Sequence, residues 1–396
     1  MQTDICCGCG LCRDKCPKSA ISMVESAMGA VYPSIDADRC VDCRLCQKLC
    51  PAGKKQENSG GKFYGAVNQK KKDLLSSASG GVFSALARTV LENGGTVYGA
   101  ALLPDEKQIL KAKHIRITAP EEILQLQGSK YLQSDMSGVY GQIAEDLRSG
   151  RQVLFSGTPC QTAAVKSAYG DDENLVLAEI ICHGTPSQRM FTEYLQTLGK
   201  GETVKDFRFR SKKSGWGLCA SLTLQDAKGR EKNKLIPSSV SSYYKMFLRG
   251  ELYRESCYHC RYAKAERVGD LTLGDYWGVE KDTAAYTELK QKGFEVTEGV
   301  SCVIASTEKG EKLLKQSDLF LTETTFENIS KENKQLLQPS ARPASREEVR
   351  ALYEKDGYAG LERRFQKALG AKKYLLILRK RISPKIRMKM RLLLKK

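Results

Sequence analysis

Histidine is nearly absent from this sequence. Three of the 396 residues are histidines, His114, His183 and His259, so a catalytic triad built on histidine is a poor explanation of the chain. Long apolar runs are missing too: the longest one near the C-terminal end, 374–378, is far too short to span a bilayer. The first four residues lead directly into cysteines, without the apolar segment of a secretory signal. We therefore expect a cytoplasmic protein.

Acidic residues are missing from the C-terminal segment. Residues 371–396 contain 11 Lys and Arg and no Asp or Glu, so they supply most of the net charge of +18. Pro384 is predicted to divide this segment into two short helices. Such a segment favours peripheral contact with anionic lipids at the inner face of the membrane. Two alternatives are an amphipathic helix that packs back on the body and a docking site for an acidic redox partner. Nucleic acid is not expected as a partner, because Tyr374 is the segment's lone aromatic residue.

Cysteine, by contrast, is abundant, with 15 residues. In a cytoplasmic chain this number indicates metal or redox chemistry rather than disulfides. Two runs follow the pattern C-x2-C-x2-C-x3-C, each with proline next, and they start 34 residues apart. This is the spacing of bacterial ferredoxins with two [4Fe–4S] clusters.

The ligands of each cluster can be assigned from the spacing within each cysteine run. Three closely spaced cysteines can bind one cubane, while the fourth begins the next helix and serves the other cluster. Two separate zinc sites are the alternative, and complete four-cysteine runs fit zinc poorly. Cys7 lies outside the pattern and is interpreted as a bystander. We assign Cys6, Cys9, Cys12 and Cys50 to the first cluster, and Cys40, Cys43, Cys46 and Cys16 to the second.

The polar stretch 52–62 is predicted to be a linker. A serine- and glycine-rich segment lies beyond it in the chain. Apolar residues recur on one helical face from Val82 to Leu91, so this segment opens a helix. One interpretation is a well-capped helix with Ser79 as its N-cap. The other is a phosphate cradle, in which free N–H groups meet an anionic ligand.

Strands and helices then alternate, which predicts a parallel sheet. Cys160 and Cys182 each follow a predicted strand, where sites form in open parallel sheets, and Cys257 and Cys260 form a separate C-x2-C pair. These four thiols either bind a third [4Fe–4S] cluster or are unrelated structural cysteines. Cys219 and Cys302 are expected in the core. The predicted strands are 96–102, 109–117, 152–156, 174–181 and 270–274, and a helix is predicted over 138–147.

With these features the chain resembles the beta subunits of coenzyme F420-reducing hydrogenase and their relatives, which include formate dehydrogenase beta subunits and hydroxymethyl chlorophyll reductase. The resemblance rests on an ordered set of short segments, spread over roughly residues 60 to 320. They are 77–82, 129–131, 157–161, 182–184, 207–210 and 257–260 through 274–278.

The resemblance implies a flavoprotein that passes electrons between FAD and iron–sulfur clusters. It favours the phosphate cradle, the third cluster and a position for Lys130 near the flavin or an anionic substrate. His183 follows a proposed cluster ligand, so we predict that it faces the cofactor and, with Lys130, that it is catalytic. The predicted cofactor-binding residues are Ser77, Ser79, Gly80, Gly81, Lys130 and Thr158.

Four segments are predicted: an α+β ferredoxin-type domain (1–56), an FAD-binding part (57–150) and a C-terminal part (151–325) of an α/β domain with a mainly parallel or mixed sheet, and a basic helical extension (326–396). The predicted function is an iron–sulfur flavoprotein oxidoreductase. It would exchange single electrons with a ferredoxin or another oxidoreductase subunit and electron pairs with its substrate. The alternative is a flavin-free, ferredoxin-like adaptor subunit, in a context such as surface-polysaccharide synthesis.

Overall fold

The computed structural model describes residues 4–54, 58 and 60–381. In this part of the chain the strands form three sheets, with two, three and eight strands. The strands are β1 (Ile21–Glu25), β2 (Val31–Ile35), β3 (Lys62–Asn68), β4 (Thr96–Pro104), β5 (Leu110–Ile117), β6 (Val153–Gly157), β7 (Leu175–Ile180), β8 (Thr203–Arg208), β9 (Cys219–Gln225), β10 (Glu231–Pro237), β11 (Leu271–Asp275), β12 (Ser301–Ala305) and β13 (Leu319–Glu323).

Helices connect and cover these sheets. They are α1 (Leu11–Asp14), α2 (Leu45–Lys48), α3 (Lys71–Ser76), α4 (Val82–Glu92), α5 (Ile123–Leu126), α6 (Val139–Arg148), α7 (Pro159–Tyr169), α8 (Gln188–Gly199), α9 (Ser242–Leu248), α10 (Glu255–Tyr258), α11 (Thr283–Gln291), α12 (Glu308–Gln316), α13 (Phe326–Ser330), α14 (Arg346–Leu369) and α15 (Lys372–Arg381).

The N-terminal head is a small α+β unit, as predicted. β1 and β2 pair as an antiparallel hairpin between the two cysteine runs, and each run contains a one-turn helix, α1 or α2. Gly8 and Gly10 take left-handed conformations with φ of 63° and 78°. Glycine adopts these angles without steric penalty, so the first cysteine run can turn tightly.

The body is built on a mixed eight-stranded sheet in the order β13-β3-β12-β11-β7-β6-β4-β5. Its centre is parallel: β4 pairs with β6, β6 with β7 and β7 with β11. The remaining strands of this sheet are antiparallel to their neighbours. The prediction of a mainly parallel or mixed sheet is therefore confirmed. The first of its strands, β3, is placed in the middle of the antiparallel half, a position that its sequence does not show.

Both faces of the sheet are buried, which explains why the central strands β6, β7 and β12 are largely apolar. One face packs against α4 and α12, through residues such as Leu86 and Leu314. The other packs against α6 and α7, and the head inserts Leu11 into this second core. The head therefore shares the hydrophobic core of the body. The cysteines expected in the core, Cys219 of β9 and Cys302 of β12, are each 1% exposed.

A second layer covers one end of the body. The antiparallel sheet β10-β9-β8 packs with α8, α9 and α14 around a cluster of aromatic side chains. The long helix α14 bends at Gly357, whose φ is 62°. Within the described residues no helix has the length and apolar character needed to cross a membrane.

The C-terminal helix α15 contacts β10 and the turn 238–240, so it packs against the body. Tyr374 and Leu375 are nevertheless 69% and 65% exposed. The second short helix predicted after Pro384 lies outside the described residues, as do parts of the predicted linker 52–62.

An acidic residue on α6 ties this helix to the sheet. Asp146 is 4% exposed and accepts two hydrogen bonds from Arg116 of β5, both of 2.7 Å, and one of 2.6 Å from the hydroxyl of Tyr98. The same helix carries Tyr140, whose hydroxyl donates to the carbonyl of Cys9 at 3.0 Å. Asp146 therefore supports the helix on which the head rests.

Replacing Asp146 with asparagine should lower the free energy of unfolding by about 3 kcal/mol, because it leaves Arg116 without its ionic partner in a largely buried site. Anaerobic urea unfolding measures this change. Glu354→Gln is the matched control: its ion pair with Arg350 is solvent-exposed, so the change should be within about 0.5 kcal/mol. Equal effects of the two substitutions would show that the Asp146 pair does not hold α6.

Candidate functional site

The first cysteine run and Cys50 lie together at the base of the head. Burial, together with the neighbouring thiols of Cys6 and Cys50, raises the pKa of the Cys12 thiol to about 11. Burial and Cys50 likewise raise the pKa of Cys6, whose sulfur accepts a hydrogen bond of 3.4 Å from the amide of Gly8. Such crowding disfavours the thiolate forms unless a cation or cluster neutralises them. An N–H···S bond of this kind tunes a cluster's potential.

The second predicted ligand set surrounds its own cavity of about 70 Å³. Cys16, from the first run, lines this cavity together with Cys40, Cys43 and Cys46 from the second. The Cys16 sulfur accepts a hydrogen bond of 3.3 Å from the amide of Ala20. The structure thus brings the fourth cysteine of one run to the three leading cysteines of the other, as exchange of the fourth ligand requires.

Four further thiols meet at one edge of the eight-stranded sheet. Cys160 lies in the first turn of α7, after β6, and Cys182 follows β7. Since β6 and β7 are parallel neighbours, their carboxyl ends lie side by side. Burial raises the pKa of Cys182, and the negative forms of Cys257, Cys160 and Cys260 raise it further. The two predicted pairs therefore form one group, which we call the four-thiol site: Cys160, Cys182, Cys257 and Cys260.

Buried polar contacts fix the loops of this site. The hydroxyl of Thr158 lies 3.2 Å from the Cys160 sulfur and donates to the Gln161 side chain at 3.0 Å. After Cys260 in the chain, Arg267 forms a buried ion pair with Glu179 at 2.6 Å and donates to the carbonyl of Tyr262 at 2.9 Å. The C-x2-C loop is thereby anchored to β7.

No three His, Cys, Asp or Glu side chains among the described residues converge closely enough to hold a single metal ion. A cubane has a different geometry, because each thiolate binds its own iron at a separate corner and the four sulfurs do not converge on one point.

Cys7 has a more specific position than that of a bystander. Its side chain interacts with the thiol of Cys160 in the four-thiol site and with that of Cys9 in the first cysteine run. It also lines the main cavity of the body. Sequence spacing gives no signal for this contact, because it joins residues that are 153 positions apart along the chain.

The main cavity has a volume of about 380 Å³ and lies at the carboxyl edge of the parallel strands, beside the four-thiol site. Most of the predicted cofactor-binding residues line it. Gly80 is different: a Cβ there would lie 2.2 Å from the carbonyl oxygen of Ala66, so this glycine packs against the sheet. The predicted residues that line the cavity are Ser77, Ser79, Gly81, Lys130, Thr158 and His183, with Cys160 of the four-thiol site.

The serine–glycine loop reaches α4 in an unexpected way. Gly81, not Ser79, is the N-cap of α4, with φ of 80° and no side-chain cap, so the sequence prediction of a serine cap is wrong. The Ser79 hydroxyl instead donates to the carbonyl of Val300 at 2.8 Å, and that of Ser77 donates to the carbonyl of Asp73 at 2.7 Å. Both hydroxyls therefore bind backbone carbonyls and stabilise the conformation of the loop.

Cations also hold the backbone around the cavity. The ammonium of Lys130 donates to the carbonyls of Leu126 and Gln127 at 2.8 and 2.9 Å. Burial, together with the charge of Arg208, lowers the pKa of Lys130 to about 7, while these carbonyls favour the protonated form. Lys212 similarly donates to the carbonyl of Ser79 at 2.6 Å.

Sequence reasoning missed a buried ion pair in the cavity wall. Arg210 bonds Asp275 through both terminal nitrogens, at 2.9 and 3.1 Å, and also donates to the carbonyl of Ala78 at 3.0 Å. Trp216 donates to Asp275 at 2.8 Å and stacks on Trp277 at 4.4 Å. Arg210 and Asp275 lie inside segments that carry the family resemblance, which was the signal available for them.

Two of the histidines face the cavity. Burial lowers the pKa of His183, with a smaller opposing effect of Asp275, so its imidazole is neutral at pH 7. Burial lowers the pKa of His114 to about 4. His114, which has no predicted role, contacts the hydroxyl of Ser134 at 2.8 Å and the carbonyl of Ser156 at 3.0 Å. Both imidazoles are thus uncharged groups beside the cavity.

Known proteins match this architecture along the chain. A 4Fe-4S dicluster domain matches residues 5–54. The N-terminal and C-terminal parts of the coenzyme F420 hydrogenase/dehydrogenase beta subunit match residues 64–140 and 150–327, and together they cover more than half of the chain.

Individual relatives are more distant. One subunit of the F(420)H(2) dehydrogenase of Methanosarcina mazei is 23% identical over 177 residues, covering 42% of this chain and 49% of the relative. An uncharacterised protein of Methanocaldococcus jannaschii is 25% identical over 207 residues, covering 44% of this chain and 56% of the relative. This chain thus spans about half the length of these relatives.

Among solved structures, a chain of the F420-reducing [NiFe] hydrogenase complex from Methanosarcina barkeri matches with a TM-score of 0.43 and 16% identity. The match covers 80% of this chain and 96% of that chain. On the matches of its head and of both parts of its body, this chain belongs to the family of coenzyme F420 hydrogenase/dehydrogenase beta subunits and carries a 4Fe-4S dicluster domain at its N-terminal end.

Proposed function

We propose that the protein is an iron–sulfur flavoprotein oxidoreductase. It passes electrons between a one-electron partner and a two-electron organic substrate, through the two clusters of the head, a cluster in the four-thiol site and FAD in the main cavity. Family membership supports the coarser part of this proposal, an iron–sulfur electron-transfer subunit of oxidoreductases.

The observation that carries the proposal is the contact between the candidate sites. The Cys7 side chain, next to the first-cluster ligand Cys6, interacts with Cys160 of the four-thiol site. Cys7 and Cys160 both line the main cavity. The head, the four-thiol site and the cavity are therefore in direct succession, which suits the passage of electrons from one to the next.

FAD in the cavity would supply the step that clusters lack, because a flavin exchanges electrons both singly and in pairs. Ser77, Ser79 and Gly81 line the cavity at the start of α4, and the ammonium-bearing Lys130 lines it as well. Gly80 would act indirectly, because its lack of a side chain lets the loop lie against the sheet. Positive charge and backbone N–H groups suit the diphosphate of FAD.

Lys130 and His183 are the proposed catalytic residues, since both line the cavity. A neutral imidazole can accept a proton when a substrate is oxidised and return it in the reverse reaction. The ammonium of Lys130 would stabilise negative charge on the bound ring system. The Methanosarcina mazei relative is named for F(420)H(2), so a deazaflavin is one class of substrate to test.

The one-electron partner would dock on the head, over the second cluster. Cys40 and Cys43 are solvent-exposed, whereas the ligands of the first set are less exposed. A ferredoxin, or another subunit of a larger oxidoreductase, fits this position. The exposed Tyr374 and Leu375, next to Lys372 and Lys373, would allow α15 to contact an anionic membrane surface.

Cofactor content tests the proposal directly. Protein purified without oxygen should contain about 12 iron atoms and as many sulfides, with one FAD per chain, as three cubanes and a flavin require. Absorption spectra before and after dithionite should show bleaching of both chromophores. About eight iron atoms without flavin would contradict the proposal and favour the adaptor function instead.

The head should show exchange of the fourth ligand. In Cys16→Ser the EPR signal of the second cluster should disappear while that of the first remains, because Cys16 lines the second cavity although it belongs to the first run. Cys219→Ser, a change in the core of β9, should retain both signals. Loss of the first signal alone in Cys16→Ser would show that each run binds its own cluster.

The four-thiol site should bind iron independently of the head. Cys182→Ser is expected to lower the iron content by about four atoms per chain and to leave both head clusters detectable. Iron analysis and EPR measure the two effects. Cys302→Ser, a buried cysteine outside the site, is the control and should retain all the iron. An unchanged iron content in Cys182→Ser would exclude this residue as a cluster ligand.

A further inference from the structure

Arg254 lies at the junction between the head and the body. Its carbonyl accepts a hydrogen bond of 3.0 Å from the amide of Cys257, so its backbone belongs to the loop of the four-thiol site. Its guanidinium crosses into the head, where it donates to the carbonyl of Val31 at 2.9 Å and lies 5.0 Å from the ring centroid of Tyr32.

The guanidinium packs directly on the first cysteine run. A Cβ at Gly8 would lie 2.7 Å from both terminal nitrogens of Arg254, so a side chain at this position would displace the arginine. Gln133 fixes this arrangement. Its amide nitrogen donates to the carbonyls of Cys7 and Gly8, both at 3.0 Å, and its amide oxygen accepts from Arg254.

Arg254 differs from the other buried arginines of the described chain in its partners. Arg210, Arg267 and Arg346 each form an ion pair with a carboxylate. Arg254 is 4% exposed and forms none with the described residues, and its Nε has no hydrogen-bond partner there. Its acceptors, an amide oxygen and a peptide carbonyl, are uncharged.

A buried charge without a counter-ion is strongly unfavourable. The groups near Arg254 that can carry negative charge are the thiols of Cys7, Cys257 and Cys6, together with the hydroxyl of Tyr32. Cys6 is a ligand of the first cluster and Cys257 belongs to the four-thiol site. A cubane bound by four thiolates carries a net negative charge. Arg254 therefore faces a negative group on each side when both are loaded.

We propose that Arg254 is the counter-charge shared by the first cluster of the head and by the cluster of the four-thiol site, and that it raises the reduction potentials of both. Its role toward the four-thiol site rests on the proposed function, whereas its role toward the first cluster does not. Arg254 is a positioning residue: its positive charge stabilises the more negative, reduced state of each cluster.

The test is a redox titration of the full-length, loaded protein monitored by EPR. In Arg254→Gln the equilibrium constant for reduction should fall about tenfold at the first cluster and at the four-thiol cluster, which is about 59 mV for one electron. The second cluster, whose ligand cavity does not include Arg254, should keep its potential. Arg254→Lys retains the charge and should shift both potentials by less than half as much.

Two further variants separate a charge effect from a structural one. Arg230→Gln removes an arginine from an exposed pair with Asp226, between β9 and β10, and should leave all three potentials unchanged. Gln133→Glu places a carboxylate on Arg254 while keeping the guanidinium. It should lower the same two potentials, and it provides the test if Arg254→Gln yields too little loaded protein.

Iron and flavin contents, measured on each sample, distinguish the possible failures. Unchanged potentials of the first cluster in Arg254→Gln or Gln133→Glu, with full cofactor content, would overturn the proposal. The wild-type protein could show no four-thiol cluster while the substitution still shifts the potential of the first cluster. That result would overturn the shared role of Arg254, and it would also contradict the third cluster of the proposed function. A shift of all three potentials would also overturn it, because the effect would not be local.

Discussion

The parallel alignment of β6, β7 and β11 is the constraint on which the site depends. Because β6 and β7 run in the same direction, the loops that follow them open at one edge of the sheet, and Cys160 and Cys182 meet there. The segment that leads into β11 brings Cys257 and Cys260 to the same place. Among the antiparallel strands, β3 leads toward the loop that carries Ser77, Ser79 and Gly81, and β12 begins with Ser301, so both contribute to the same cavity. A single sheet edge thus collects the four-thiol site, the cavity and the contact with the head.

Charge is distributed around this edge in a way that the hydrophobic core cannot explain. Arg210 and Arg267 are buried but paired with Asp275 and Glu179, so each is neutralised within the fold. The crowded thiols have no such internal compensation, and burial raises their pKa values. Without clusters these thiols keep their protons, and binding of iron must displace them. Cofactor binding and stability are therefore expected to be coupled, as they are in other proteins with buried metal sites.

How much the sequence predicts depends on the range of each interaction. Ligand spacing in the cysteine runs is a local property, and the match of a dicluster domain to 5–54 agrees with it. Alternating strands and helices predict the α/β class, but the central place of β3 depends on pairing with β12 and β13, far along the chain. The serine cap predicted for α4 is wrong because the Ser79 hydroxyl is bound to Val300, a long-range partner. Contacts such as Cys7 with Cys160 have no local signal.

The solvent exposure of the cysteines decreases along the proposed electron path, from the second cluster toward the body. Cys40 and Cys43 are at the surface, while Cys6 and Cys12 lie nearer the body and the four-thiol site is enclosed between the head and the sheet. On the proposed function, a one-electron partner can therefore approach the second cluster closely and would reach the other redox centres through it. Potential depends on burial and on nearby charge, so the interior clusters need compensation that the outer one obtains from water. On the proposed function, a counter-charge at the junction of head and body lies where this compensation is most needed, because solvent cannot provide it there.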